Sequence, residues 1–305
     1  MGGRTSSSLV TLRDSNIKKQ EKKFVNELNL GSDAATYVQT SIKDGVLTVL
    51  MNKPKKLNGW TMEMMDAFKE AFSKASKSDA VKAVVFTAAG SYFSAGVNLG
   101  GTIKLMHPRD LHKLIVNHNQ ELFEAFLNCS KPILVAVNGP AIGASVTSAT
   151  LCNGIIASEN ATFSTPFAAL GITPEGCSSI HFARLMGEQN AQRMLGSEGW
   201  KPSAAEALSA GLVQWVTPHD KLLDEAQKIA KGWVESGVKR EFLAGSQIDE
   251  LRSVNASESL ELADAFLDAA FLREQSRFLW SKKKRGPSLM FLSLWMLRPL
   301  WAKLI

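Results

Sequence analysis

The stretch Ser164-Thr-Pro-Phe-Ala-Ala-Leu-Gly-Ile-Thr-Pro-Glu-Gly-Cys-Ser-Ser179 sets one carboxylate, Glu175, in a Pro-Glu-Gly turn just ahead of a helix signal. Phe167, Leu170 and Ile172 lead into it and supply apolar surroundings. Taken alone, a Glu at a helix start complements the helix dipole. In a semi-apolar pocket, desolvation would instead raise its pKa toward the range of a working base.

Two upstream stretches give this acid a context. Phe93-Ser-Ala-Gly-Val-Asn-Leu99 follows a short strand signal over 83–87, and its small residues let the backbone approach a ligand closely. Asn138-Gly-Pro-Ala-Ile-Gly-Ala-Ser145 follows a buried-strand signal and opens a helix, where N–H groups are left without intrahelical partners. Each is, by itself, also readable as an ordinary turn or a strand-to-helix corner. One base and two such donor stretches together can make and quench an enolate.

The rest of the chain supplies an α/β frame. Residues 37–42 and 45–51 read as strands joined by Lys43-Asp44-Gly45, a hairpin signal. Thr61 reads as the N-cap of a helix over 62–76, with Met65, Phe68 and Phe72 at helical spacing. A second helix over 109–127 carries Leu111, Leu114, Ile115, Leu122 and Phe126 on one face. Strands are expected at 132–137, 154–157 and 212–216, and helices at 144–151, 176–186, 189–195, 203–210 and 222–235. The division is thus a polar, poorly ordered segment over 1–35, an alternating core over 36–217, a helical region over 218–285 and an apolar and basic tail over 286–305.

Composition narrows the function. The chain of 305 residues, 45% hydrophobic, holds ample apolar matter for a sizeable core. Residues 1–30 carry +3 and residues 271–305 carry +7 of a total of +6, which leaves −4 for 31–270. A mildly acidic body with no nucleic-acid motif argues against nucleic acid as a partner. Cys129, Cys152 and Cys177 have neither metal spacing nor the number for a disulfide framework, so a reducing compartment is expected. His107, His112 and His118 read as surface or packing residues rather than a metal set, and Ser145 and Ser178 lack a visible His/Asp partner set. The N-terminus has no apolar h-region, and residues 1–13 only faintly resemble a transit peptide. In the tail, Lys282-Lys-Lys-Arg285 precedes an apolar run over 289–297 that is short of the ~20 residues needed to span a bilayer. An interfacial anchor touching a membrane, a subunit contact and an aberrant extension are the options for it.

In their order and separation the three stretches resemble the crotonase (enoyl-CoA hydratase/isomerase) superfamily over about residues 37–285. Within it, Pro174-Glu-Gly-Cys-Ser-Ser179 is similar to the Δ3,Δ2-enoyl-CoA isomerase branch of peroxisomal type. The resemblance implies a spiral of ββα units with a helical trimerisation region, hence a homotrimer or hexamer. It implies an acyl-CoA thioester as substrate, with CoA part of that substrate and no metal or redox cofactor. Oxyanion donors fall on the N–H groups of Ala95 and Ala144, and the base on Glu175. Thr147 and Phe167 stand where the hydratases of this superfamily carry their two glutamates, which argues for single-base proton transfer. CoA contacts fall on Lys55, Lys56, Ala95, Gly96 and Leu99, with Lys53 in the same loop. Asn58-Gly59 stands where the family usually has Asn-Ala. The alternatives are a non-catalytic acyl-CoA-binding scaffold and another crotonase reaction such as thioester hydrolysis. The branch suggests peroxisomes, with mitochondria as the alternative, because Ala302-Lys-Leu-Ile305 is not a terminus of Ser-Lys-Leu type.

Overall fold

Asp44 and Gly45 turn the chain with φ of 53° and 79°, the paired positive φ of a two-residue hairpin. They join β1 (Val38–Lys43) to β2 (Val46–Met51) in antiparallel register, from Val38 opposite Met51 to Lys43 opposite Val46. The computed structural model describes residues 33–98 and 106–305. Expectations for residues 1–32 and for Leu99 therefore fall outside the described residues. Beyond β2 the sheet grows in parallel through β3 (Ala83–Ala88) and β4 (Ile133–Val137). A short β5 (Ala141–Ile142) leaves this sheet and pairs in parallel with β7 (Phe163–Ser164). The main sheet continues through β6 (Gly154–Ser158) and β8 (Trp215–Thr217), giving the spatial order β1-β2-β3-β4-β6-β8.

The parallel strands are apolar on both faces because helices cover both. Val84, Phe86, Ile133, Val135 and Val137 enter the main core on one face. Helices α1 (Met62–Lys77) and α2 (Pro108–Leu127) pack there. A cluster of rings from Trp60, Phe68, Phe72, Phe86 and Phe126 fills the space, with centroids 5.0–6.3 Å apart. Thr61 caps α1 by accepting from Met64 N–H at 3.3 Å. The alternate strand residues Val85, Leu134, Ala136 and Ile156 face the opposite way.

Between strands run α3 (Ala144–Thr150), the single turn α4 (Phe167–Leu170), α5 (Ser178–Met186), α6 (Glu188–Leu195) and α7 (Ala204–Ala210). The second face of the sheet is covered by α8 (Leu222–Ser236) through Leu222, Ala226 and Ala230. The last helices, α9 (Ile248–Phe266), α10 (Ala269–Ser281) and α11 (Arg285–Trp301), build a separate core from Leu262, Phe266, Phe271, Leu279 and Phe291. Helix α2 belongs to both cores: Leu122, Phe123 and Phe126 join the sheet side, Leu111 and Ile115 the helical side. The junction of the two cores is where the candidate site lies.

Three elements differ from expectation. Leu212 and Val213 do not extend strand β8, because their N–H groups turn back to Ala207 O at 2.9 and 3.3 Å. Helix α5 starts at Ser178 rather than 176, because Gly176 and Cys177 have φ of 67° and 63°. The C-terminal tail is the helix α11, held against α10 within the same chain. Ser276 and Ser288 exchange hydrogen bonds at 2.9 and 2.7 Å, and Arg298 reaches Leu267 O at 2.8 Å and Asp268 at 3.0 Å. Its outer stripe of Leu289, Met296 and Leu300 stays exposed. Among the described residues no helix is long and apolar enough to cross a membrane.

Candidate active site

The loop after β3 is stitched into place by buried polar groups. Asn58, fully buried, accepts from Lys53 N–H and donates to Ala89 O and Tyr92 O, each at 2.8 Å. Ser94 Oγ donates to Asn58 O at 2.8 Å and accepts from Gly96 N–H at 3.1 Å. Gly96 has φ of 82°, and a Cβ there would sit 2.9 Å from Ile142 O. A side chain would therefore be strained twice over, by conformation and by contact. This close approach carries the 94–97 backbone against the start of α3.

The free amides of this wall follow from its hydrogen bonds. Ala95 N–H donates to Leu57 O at 2.9 Å. The N–H expected to serve as an oxyanion donor is thus already engaged, and the assignment to Ala95 is corrected. Gly96 O accepts from Trp60 N–H at 2.9 Å, and Asn98 N–H donates to Trp60 O at 3.0 Å. Val97 N–H lies between these bonds and has no acceptor among the described residues. Across the gap, Gly143 takes φ of 61° as the N-cap of α3, and its N–H donates to Ser164 O at 2.8 Å. Ala144, the first helical residue, has no acceptor for its N–H among the described residues.

Ala95, Gly96, Val97, Gly143, Ala144 and Glu175 all line one cavity of about 860 Å³, measured out to its open mouth. Its other wall is apolar: Ile115 and Leu122 from α2, Phe167, Leu170 and Ile172, and Leu262 and Phe266 from α9. Glu175 is the only carboxylate among the described lining residues. It is buried, and desolvation, followed by the negative charge of Glu258, pushes its pKa up to about 8. Thr147 is buried behind Gly176, where an added Cβ would lie 2.7 Å from the Thr147 hydroxyl oxygen.

Other expected residues fall elsewhere. Lys55 and Lys56 are exposed on a 3₁₀ turn (Pro54–Lys56) and do not line the cavity, although the next carbonyl, Leu57 O, is the one that holds Ala95. Lys53 lies over the Tyr37 ring at 4.4 Å. His181, six residues past Glu175, does not line the cavity either: it is buried in α5, and burial lowers its pKa to about 4. Among the described residues no group of His, Cys, Asp and Glu could hold a metal.

Sequence reasoning missed four residues. Val97 lies two amides past Ala95, and the one between, Gly96 N–H, is taken by Ser94 Oγ. His118 and Asn119 line the cavity, and Asn119 donates to Ser259 Oγ at 3.0 Å. Glu258 is buried on α9, where its carboxylate accepts from Cys177 N–H and from Ser179 N–H, the latter at 2.9 Å. Asn119 was detectable as a polar residue between Ile115 and Leu122 on an otherwise apolar helix stripe. Glu258 shares its buried stripe with Asn255 and Ser259, so no such signal marked it.

A mostly parallel sheet backed by helices, with an acid and unpaired main-chain amides around an apolar cleft, defines an α/β protein of crotonase type. The chain belongs to the enoyl-CoA hydratase/isomerase family, whose profile matches residues 41–273. It is 34% identical over 258 residues to the human protein "Enoyl-CoA delta isomerase 2", covering 82% of this chain and 64% of that one. It is 30% identical over 253 residues to the mouse "Enoyl-CoA delta isomerase 3, peroxisomal", covering 79% and 78%. An enoyl-CoA hydratase/isomerase crystal structure from Pseudoalteromonas atlantica T6c superposes with a TM-score of 0.69 at 29% identity, covering 81% of this chain and 97% of that one.

Proposed function

We propose that this chain moves the double bond of a 3-enoyl-CoA to the trans-2 position, with Glu175 as the single proton shuttle. The observation that carries this reading is the lone carboxylate: no second acid lines the cavity among the described residues. The family resemblance, which sets Thr147 and Phe167 where the hydratases carry glutamates, supports it. The thioester oxygen lies between Val97 N–H and Ala144 N–H. Glu175 takes a proton from C2, the freed pair forms a C1–C2 double bond as the carbonyl π pair moves onto the held oxygen, and the dienolate so made is conjugated with C3–C4. The same carboxylic acid then returns the proton at C4. Substrate and product differ only in the position of the double bond, so atoms balance without a metal, water or a redox cofactor. The apolar wall of Phe167, Leu170 and Ile172 excludes water that would quench the dienolate or add across the product.

The test is turnover of 3-hexenoyl-CoA, run beside hydration of a 2-enoyl-CoA and release of free CoA. Double-bond migration as the dominant activity is expected. Binding without turnover would identify a scaffold, and free CoA a thioesterase; either would overturn the reading.

A base with a pKa of about 8 must lose its proton before it can act. For the free enzyme, kcat/KM is expected to rise about tenfold per pH unit below pH 8 and to level off above it. A flat profile from pH 6 to 9 would remove Glu175 as the titrating base.

We assign the CoA phosphates to the exposed Lys55 and Lys56 beside the cleft wall, with backbone contacts from Ala95 and Gly96. Changing both lysines to alanine is expected to raise KM several-fold, on the order of 1 kcal/mol or less per exposed charge, with kcat unchanged. The effect should shrink as salt is added. Unaltered KM at low salt would refute the assignment. Assembly as a trimer or hexamer is our further expectation, decided by mass measurement in solution. We also read the compartment as the peroxisome, in keeping with the mouse relative's name; imaging of the full chain in cells tests it.

A further inference from the structure

We propose that Glu258 is the positioning residue for Glu175: a buried carboxylate on α9 that grips the main chain just after the Pro-Glu-Gly turn and so couples the base to the C-terminal helices. The inference rests on the isomerase reading for its kinetic consequences, but not for its geometry.

The turn needs an outside grip. Gly176 and Cys177 both have positive φ, and for Cys177 that conformation is costly. The N-cap of α5 receives no side-chain hydrogen bond from its own segment. Glu258 supplies it from another helix, one oxygen accepting from Cys177 N–H and the other from Ser179 N–H. Cys177 Sγ adds a contact to Leu251 O at 3.1 Å, again on α9. On its other side Gly176 abuts Phe123 and Thr147, where an added Cβ would lie 2.4 and 2.7 Å away. The main chain just after the base is therefore pinned between α2, α3 and α9.

Charge adds a second role. Burying a carboxylate without a cation is expensive, and Glu258 is tolerated because two amides bond its charged form. Burial raises the pKa of Glu258 too, against the pull of the two amides, and the charge on Glu258 raises that of Glu175. The other titratable groups around this spot are the Cys177 thiol, His118 and Glu124 from α2, His181 on α5, and Glu250 and Glu261 on α9. A helix cap alone would stabilise α5 and leave the titration of Glu175 unmoved, and that difference is measurable.

Two variants separate grip from charge. Glu258→Gln keeps the volume and one acceptor but loses the charge; Glu258→Asp keeps the charge but withdraws it by one methylene. Each is compared with the wild-type full chain by ¹³C NMR titration of labelled glutamate carboxyls, with the Glu175 signal identified by its loss in Glu175→Gln. Kinetics with 3-hexenoyl-CoA are run in parallel. In Glu258→Gln the Glu175 midpoint should fall by about one pH unit or more. In Glu258→Asp it should move by less than about half a unit, while kcat falls about tenfold and KM stays within about threefold, as for a misplaced base. A lower melting temperature with unchanged midpoint and kcat in both variants would reduce Glu258 to a helix cap and overturn the proposal. If the wild type fails to isomerise 3-hexenoyl-CoA, the functional reading falls, and the NMR titration still decides whether Glu258 governs Glu175.

Discussion

Changing Glu175 to glutamine is expected to lower kcat for 3-enoyl-CoA isomerisation by about 10³-fold or more, with KM within a few-fold and the fold intact. A positioned acid–base group contributes typically about 10²–10⁴, and here one group serves both proton transfers. The cleft has no second carboxylate to substitute, because Glu175 is the only one among its described lining residues. Folding should tolerate the change: with a pKa of about 8, Glu175 is mostly neutral at pH 7, and a neutral amide of the same shape replaces a neutral acid. Thermal melts across pH check this from the other side. An acid whose folded pKa lies above its unfolded value contributes stability that is complete below the unfolded value. That contribution is lost as pH rises through the folded value. For Glu175 the window runs from 4.5 to about 8. Glutamine has no such loss, so the melting temperature of Glu175→Gln should gain on wild type as pH rises from 5 to 9. Full activity in the variant, or equal pH slopes in the two melts, would take Glu175 out of the site.

What could be read from the sequence was local. Asp44-Gly45 specifies its hairpin, and Thr61 its helix cap, by interactions within a few residues. Glu175 and Ala144 could be picked out because each sits at a junction with its own signature of turn, glycine and helix start. The rest depends on partners distant in the chain. Ala95 and Val97 look equally suited to donate until Leu57 O takes the first of them. The start of α5 shifts because Gly176 and Cys177 are held in positive φ by Phe123, Thr147 and Glu258, which come from three other helices. Strand β8 begins late because Leu212 and Val213 fold back on α7. For the tail, an anchor, a subunit contact and an aberrant extension stayed open because nothing nearby shows that Ser288 meets Ser276 or that Arg298 meets Asp268. In each case a hydrogen bond across the fold chose between locally equivalent conformations.

Deleting a single main-chain donor is the sharper test of the cleft, and Ala144 allows it. Proline at the first position of a helix is tolerated, because its missing N–H would have no intrahelical partner and its φ already suits the helix. Ala144 holds that position in α3, and its N–H bonds nothing else among the described residues. The preceding residue, Gly143, has φ of 61° and ψ of −128°, the mirror image of the extended conformation that proline requires before it, and a glycine, with no Cβ, adopts either hand. Ala144→Pro should therefore fold with a melting temperature near that of wild type while removing one of two hydrogen bonds to the developing oxyanion. Loss of one such donor costs about 10²–10³ in kcat. The proline Cδ also projects where the amide hydrogen pointed, into the space for the thioester oxygen, so KM should rise as well. Glu175 keeps its burial and its neighbour Glu258, so its ¹³C titration should be unchanged in this variant. The combination of a retained fold, a retained Glu175 midpoint and a collapsed kcat places the loss at the oxygen site beside Ala144 rather than at the base or in the fold. If Ala144→Pro isomerises 3-hexenoyl-CoA within about threefold of wild type, the oxygen is held somewhere other than between Val97 and Ala144, and the enolate chemistry assigned to this cleft has no support from its walls.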